Sequence, residues 1–353
     1  MNIAELDKNL SVQHSLPQEV KESFEFFDAE QAPFSIHGVF RDGDCFVRVP
    51  EAVAETVSEG VLHLSRCTAG GKVRFRTDSR RVAVIAVCPE NDGMPHFAYT
   101  GMCGFDVYAD FNEKQRYFGT VIPPLHFKGG FEGVVNLKTS EMRTVTVNMP
   151  LYNGVQKLYI GVEKGASLQA AAPYTAPPVV YYGSSITQGG CASRPGSCYE
   201  NIIHTKWDVD HINLGFSGNA RAEDTMMAYI ASLSMSVFVY DYDYNAFDSE
   251  YYAKTHYKGY LTVREKHPDL PIVMLTRPRR HMDEESLTRI RIARETYDKA
   301  KAAGDEHVYF LTGPELIDED LAEHCLVDDC HPTDLGFYSM AKKLLPVLQE
   351  VFR

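Results

Sequence analysis

No apolar run in this 353-residue chain approaches the roughly 20 residues that a membrane-spanning helix needs. A membrane is therefore not expected as a partner. The first residues, Met1 to Lys8, lack a basic segment followed by an apolar one, so no export signal is read there and a cytoplasmic location is expected. An excess of positive charge is missing too: 35 Lys and Arg stand against 48 Asp and Glu, a net charge of −13. Such a chain repels a phosphate backbone, which argues against nucleic acid. The eight cysteines include no C-x-x-C pair, so no zinc-binding double pair is present, and reduced thiols are expected in the absence of an export route. Cys191 with Cys198, and Cys325 with Cys330, flank the two stretches that matter most below, and a disulfide at either remains the alternative. Internal repeats and low-complexity tracts are also absent. What remains is a globular chain too long for one core, and two domains are the default for that length.

The two parts differ in grammar. Short alternating or apolar runs recur at 73–76, 82–87, 96–100, 105–108, 115–122, 133–137, 143–149 and 155–162, with turn clusters such as Asn91-Asp92-Gly93 and Asn153-Gly154 between them. Many short strands with little helical periodicity predict an all-β sandwich, jelly-roll-like, over 1–163. Residues 164–178, rich in Ala, Gly and Pro and closed by Pro177-Pro178, read as a linker. Over 179–353, apolar strands at 179–182, 211–214, 236–240, 272–276 and 308–311 alternate with helical patterns, the clearest at 249–266, 283–303 and 335–351. That alternation predicts a three-layer α/β/α domain with a five-stranded parallel sheet.

In open parallel sheets, sites form beyond the carboxyl ends of the strands. Ser185 falls there, after Val179-Val180-Tyr181-Tyr182-Gly183-Ser184. A serine opening a helix is most often only its cap, and Ser184 or Ser185 would serve. Asp328-Asp329-Cys330-His331 changes the reading, because a carboxylate three residues before an imidazole can hold one ring nitrogen and leave the other free as a base. Two further loops offer donors for a negative oxygen. Gly218 lies in Asn213-Leu214-Gly215-Phe216-Ser217-Gly218-Asn219, after the second strand, and Asn245 in Asp241-Tyr242-Asp243-Tyr244-Asn245, after the third.

Ser185, Gly218, Asn245 and Asp328-x-x-His331, in that order over 179–353, resemble the four blocks of the SGNH (GDSL-type) hydrolase superfamily. The stretch Gly104-Phe105-Asp106-Val107-Tyr108 is similar to the Gly-x-Asp-Leu-Tyr signature of the β-sandwich that precedes some members. The resemblance implies a flavodoxin-like sheet and a catalytic set of Ser185 (nucleophile), Asp328 and His331. It also implies an oxyanion hole of Ser185, Gly218 and Asn245. Two departures stand out: Ser184 occupies the position of the usual acid, and Asp243-Tyr244-Asn245-Ala246 replaces Gly-x-Asn-Asp.

The expected activity is serine-ester hydrolysis through an acyl-enzyme, on short acetyl esters of a carbohydrate. The alternatives are a lipid-ester or thioester hydrolase and, in another class, an inactive carbohydrate-binding protein. No cofactor or metal is implied, and a homo-oligomer is left open. Arg277, Arg279 and Arg280 read equally as an anion-binding group or a solvated loop. His281-Met282-Asp283-Glu284 reads as a helix start rather than a metal site. Tyr240, Tyr242 and Tyr244 read as packing rather than a sugar platform.

Overall fold

The computed structural model describes residues 16–279 and 281–351; the segment read for an export signal and Arg280 lie outside them. The first part contains β1 (Phe24–Asp28), β2 (Ser35–His37), β3 (Phe40–Asp42), β4 (Cys45–Val47), β5 (Lys72–Thr77) and β6 (Arg81–Val87). It continues with β7 (Phe105–Phe111), β8 (Lys114–Val121), β9 (Phe131–Asn136), β10 (Arg143–Asn148), β11 (Lys157–Glu163) and β12 (Leu168–Gln169). One sheet has the order β1-β11-β6-β9; the other runs β12-β5-β10-β7-β8, with β2 also against β5, and β3 and β4 form a small hairpin. Val73, Phe75, Val145 and Val147 of one sheet and Val82, Val84, Leu158 and Ile160 of the other are buried in one apolar cluster. Alternation places these side chains on the inner faces, so the two antiparallel sheets close over a shared core.

One expectation needs correction, and two features had not been foreseen. The run at 96–100 is not a strand: a short helix, Tyr99–Met102, forms there. Local bonds from Cys103 N–H to the Tyr99 carbonyl and from Gly104 N–H to Thr100 hold it, and Leu151 N–H and Tyr152 N–H donate to the Gly101 and Met102 carbonyls. A short apolar run has no period long enough to separate the two conformations. Helices Glu51–Val57 and Glu59–Ser65 have no counterpart in the sequence reading, although Ser58 caps the second by accepting from Val61 N–H. Within the stretch read as a linker, β12 pairs with Thr77 and Arg76 of β5.

The second part holds β13 (Val179–Gly183), β14 (His211–Gly215), β15 (Val237–Asp241), β16 (Ile272–Leu275) and β17 (Val308–Leu311) in a parallel sheet ordered β14-β13-β15-β16-β17. Every residue of β13 is buried. Val179 and Tyr181 join a cluster with the sandwich and with helices Tyr199–Trp207 and Asp334–Val351. Val180 and Tyr182 join the opposite cluster, under Asp224–Ser232, Ser249–Lys266, Glu284–Ala302 and the two helices at 51–65. This two-sided burial is why the strand reads as a continuous apolar run. The chain connects outward in both directions from β13, so the switch point of the sheet, where a cleft opens past the strand ends, lies at this strand. Among the described residues no helix is long and apolar enough to cross a membrane.

Two buried groups join the parts. Arg48 donates to the Asn213 and Gly215 carbonyls of β14 and to those of Leu64 and Cys67. Asp106, fully buried in β7, accepts from Asn148 Nδ2, Arg194 Nη1 and Gly196 N–H at 2.7–2.9 Å. Both sides of the contact are thereby satisfied, as burial of a charge requires.

Candidate active site

Gly183 ends β13 in a place no side chain can occupy: a Cβ would lie 2.2 Å from the Asp241 carbonyl and from Thr187 Oγ1. The chain turns there into a four-residue helix, Ser185–Gln188, closed by Gly189 at φ +97°. Ser184 is its cap, its Oγ accepting from Ile186 N–H at 3.2 Å. The capping task thus falls to Ser184, and the Ser185 hydroxyl is left for another partner. That partner is His331, whose Nε2 stands 2.9 Å from Ser185 Oγ.

His331 is held from its other side. Asp328 Oδ2 lies 2.8 Å and Oδ1 3.1 Å from His331 Nδ1, and Oδ1 also accepts the backbone N–H groups of His331 and Cys330. A proton on Nδ1 shared with the carboxylate leaves Nε2 as the acceptor for a serine proton. Burial pushes the Asp328 carboxyl up, but the bonds from the His331 N–H and ring outweigh it and hold it below the usual carboxylate range. The turn is anchored in addition by Arg279, whose Nη2 donates to Asp329 Oδ2. Phe97 sets its edge against the His331 ring at 5.3 Å between centroids, and His96 Nε2 lies 3.6 Å from Asp328 Oδ2. Tyr152 donates its hydroxyl to the Ser185 carbonyl at 3.1 Å. The sandwich therefore builds one wall of the site.

Among the described residues, three donors at the strand ends have no protein acceptor: the backbone N–H of Ser185, that of Gly218, and Asn245 Nδ2. Gly218 has φ +70° and open space where a Cβ would project. Asn245 Oδ1 accepts from Ala220 N–H at 3.2 Å, which orients the amide and ties the two loops together. Gln188, on the turn that follows Ser185, takes the Ser217 N–H on Oε1 and donates Nε2 to the Leu151 carbonyl. The turn Asp243–Asn245 is braced by Arg277, whose Nε lies 3.1 Å from Asp243 Oδ2, and by Arg289 on the Asp243 and Ala246 carbonyls. Asn245→Ala is expected to lower kcat by about 10²–10³-fold with KM little changed, measured by steady-state hydrolysis of an acetyl ester, because the amide would serve the oxyanion and not the ground state.

The structure brings Ser185, Asp328 and His331 into one bonded chain and places Gly218 and Asn245 on adjoining loops. Arg277 does not face a substrate: it is buried against Asp243, with the Tyr244 ring centre 4.2 Å from its guanidinium carbon. Arg279 is spent on Asp329 and Asp283. Tyr240 and Tyr242 stack on each other at 5.0 Å and on His256, inside the core. Asp283 caps its helix by accepting from Ser286 N–H. All eight cysteines are free thiols. Residues that the sequence reading missed are Gln188, His96, Phe97, Tyr152, Arg48 and Arg289. Only Gln188 carries a local signal, lying three residues after Ser185 on the same turn. A cleft of about 930 Å³, lined by Tyr108, Arg116, Arg194, Lys206, Asp334 and Tyr338 among others, lies apart from this site. It holds no nucleophile paired with a base, so the chemistry is placed at Ser185.

Both parts of the chain resemble known proteins. Residues 176–349 match the GDSL-like lipase/acylhydrolase family, and residues 24–168 match the N-terminus of SGNH-hydrolase-type esterases. A GDSL-like lipase candidate from Bacteroides ovatus is 26% identical, with a TM-score of 0.84 over 93% of this chain and 98% of that one. A salicylyl-acyltransferase of a tetracycline biosynthetic pathway is 17% identical, with a TM-score of 0.77 over 94% of this chain and 98% of that one. A family two carbohydrate esterase from Cellvibrio japonicus is 13% identical, with a TM-score of 0.60 over 93% and 98%. At 17% and 13% identity the likeness is one of fold. No curated protein matches.

Proposed function

We propose that this chain, a carboxylic ester hydrolase whose residues 176–349 form a GDSL-like lipase/acylhydrolase domain, removes short acyl groups, acetyl first, from a carbohydrate. The observation that carries the reading is the relay from Ser185 Oγ to His331 Nε2 at 2.9 Å and from His331 Nδ1 to Asp328 at 2.8 Å. In the proposed mechanism, Ser185 Oγ attacks the acyl carbon as its proton passes to His331 Nε2. The carbonyl oxygen takes the negative charge and is met by the N–H of Ser185, the N–H of Gly218 and the amide of Asn245. Collapse breaks the ester bond, His331 returns the proton to the leaving alcohol, and an acyl-serine remains. Water then attacks, again giving a proton to His331, and the acid leaves as Ser185 recovers its hydrogen.

Carbohydrate as the alcohol is supported by the two-part architecture shared with family two carbohydrate esterases. Short acyl length is supported by the crowding of the nucleophile: Ser185 is only 7% exposed, with Tyr152 bonded to its carbonyl and Phe97 packed on its base. An acyl series from acetate to octanoate on a common leaving group tests this. We expect kcat/KM to fall by about tenfold or more from acetate to octanoate, and acetylated oligosaccharide to release acetate. A preference for long chains would turn the assignment toward lipid esters.

A further inference from the structure

Beside the relay, three side chains of a different chemistry converge. A ring nitrogen of His96, Sγ of Cys191 and a ring nitrogen of His331 all lie within 4.8 Å of one another. Two imidazoles and a thiol are the ligand types that zinc-class cations prefer, and three protein ligands leave a fourth position for water or a hydroxyl. We propose that His96, Cys191 and His331 form an inhibitory site for a divalent cation of the zinc class.

The parts are already oriented. Cys191 Sγ donates to the His96 carbonyl at 3.4 Å, which keeps its sulfur beside that residue. Cys191 has φ +71°, a left-handed conformation uncommon for a residue with a Cβ, in a loop where glycines stand at 189 and 190. His331 is steered by Asp328 through Nδ1, and a carboxylate behind a histidine is the outer-shell arrangement found at metal-bound imidazoles. The remaining nitrogen, Nε2, is the one free to take a cation.

Catalysis requires the same lone pair. A cation on His331 Nε2 leaves no base for the Ser185 proton, and it displaces the 2.9 Å contact between them. Without a cation, the Cys191 thiol donates to the His96 carbonyl; binding would release that proton to solvent. The cation would then be an inhibitor that competes with the reaction, and not a cofactor of it.

The inhibitory readout rests on the esterase reading, whereas direct binding does not, so both are measured. The experiment uses the full chain in a non-thiol, non-chelating reductant. Titration with Co²⁺ is expected to give a thiolate charge-transfer band that saturates at one equivalent. Zn²⁺ is expected to inhibit acetyl-ester hydrolysis at micromolar concentration. In Cys191→Ser the cobalt band should vanish and the zinc inhibition constant should rise by about 10–100-fold or more, with kcat in metal-free buffer within about twofold of wild type. His96→Asn should lose cobalt affinity likewise, whatever its turnover. Absence of a thiolate band in wild type, or equal inhibition of wild type and Cys191→Ser, would overturn the proposal. A cobalt band without any ester hydrolysis would sustain the site and sink the esterase reading instead.

Discussion

Ser185→Ala is expected to lower kcat on an acetyl ester by on the order of 10⁵-fold while leaving the thermal midpoint within a few degrees of wild type. The size follows from removing the attacking atom: the oxyanion donors and substrate binding remain, and on other serine hydrolases these alone keep a small residue of catalysis. The unchanged stability follows from the division of labour at the end of β13. Ser184 makes the capping bond to Ile186 N–H, so the helix loses no cap with the Ser185 hydroxyl. The substitution removes the hydroxyl's bond with His331 Nε2, on a ring that water can still reach. Turnover by both proteins and a thermal scan decide the matter together. Equal turnover would move the nucleophile elsewhere, and a large drop in midpoint would return Ser185 to a structural role.

Asp328→Asn is expected to cost about 10⁴-fold in kcat. The amide oxygen would keep the bonds from Cys330 N–H and His331 N–H, so the turn should survive. Its NH2, however, would face His331 Nδ1 and donate to it. The ring would then carry its proton on Nε2, the atom that must accept from Ser185, and the base would be in the wrong tautomer. A loss under about tenfold would show that the carboxylate does not set the tautomer. The pH profile adds a signed expectation. The folded carboxyl sits below its ordinary value of about 3.9, so it stays ionised above that value and is lost only as pH falls through the lower, folded one. Asp328 should therefore add no acid limb to the wild-type rate above about pH 3.9.

The legible parts of the site are those carried by short local patterns. Gly183 can be read because it breaks an apolar run just before two serines; that no Cβ fits there, against the Asp241 carbonyl and Thr187, is visible only in the fold. The offset between Asp328 and His331 can be read because three residues on a turn bring side chains together without help from the fold. Arg277 shows the opposite case. As sequence it is a basic residue beside two others, and its role in bracing the turn that carries Asn245 depends on Asp243, on the turn after a different strand. His96 and Phe97 sit in a run that reads as a strand, and no local pattern connects them to a histidine more than two hundred residues later.

The sequence by itself determined the periods: alternation in the first part, two-sided apolar strands in the second, and with them the two kinds of layer and the order of residue types along the strand ends. These follow from burial of side chains against backbone geometry, which acts over a few residues. Which serine caps and which faces the base was legible in the sequence only through the family resemblance; the physical distinction is tertiary, because both fit the local turn and only the approach of His331 separates them. The tertiary structure alone decided that the sandwich closes one side of the site, through contacts whose free energy comes from side chains far apart in the chain. The same long-range packing set His96 and Cys191 beside His331, where one lone pair is open both to a serine proton and to a cation.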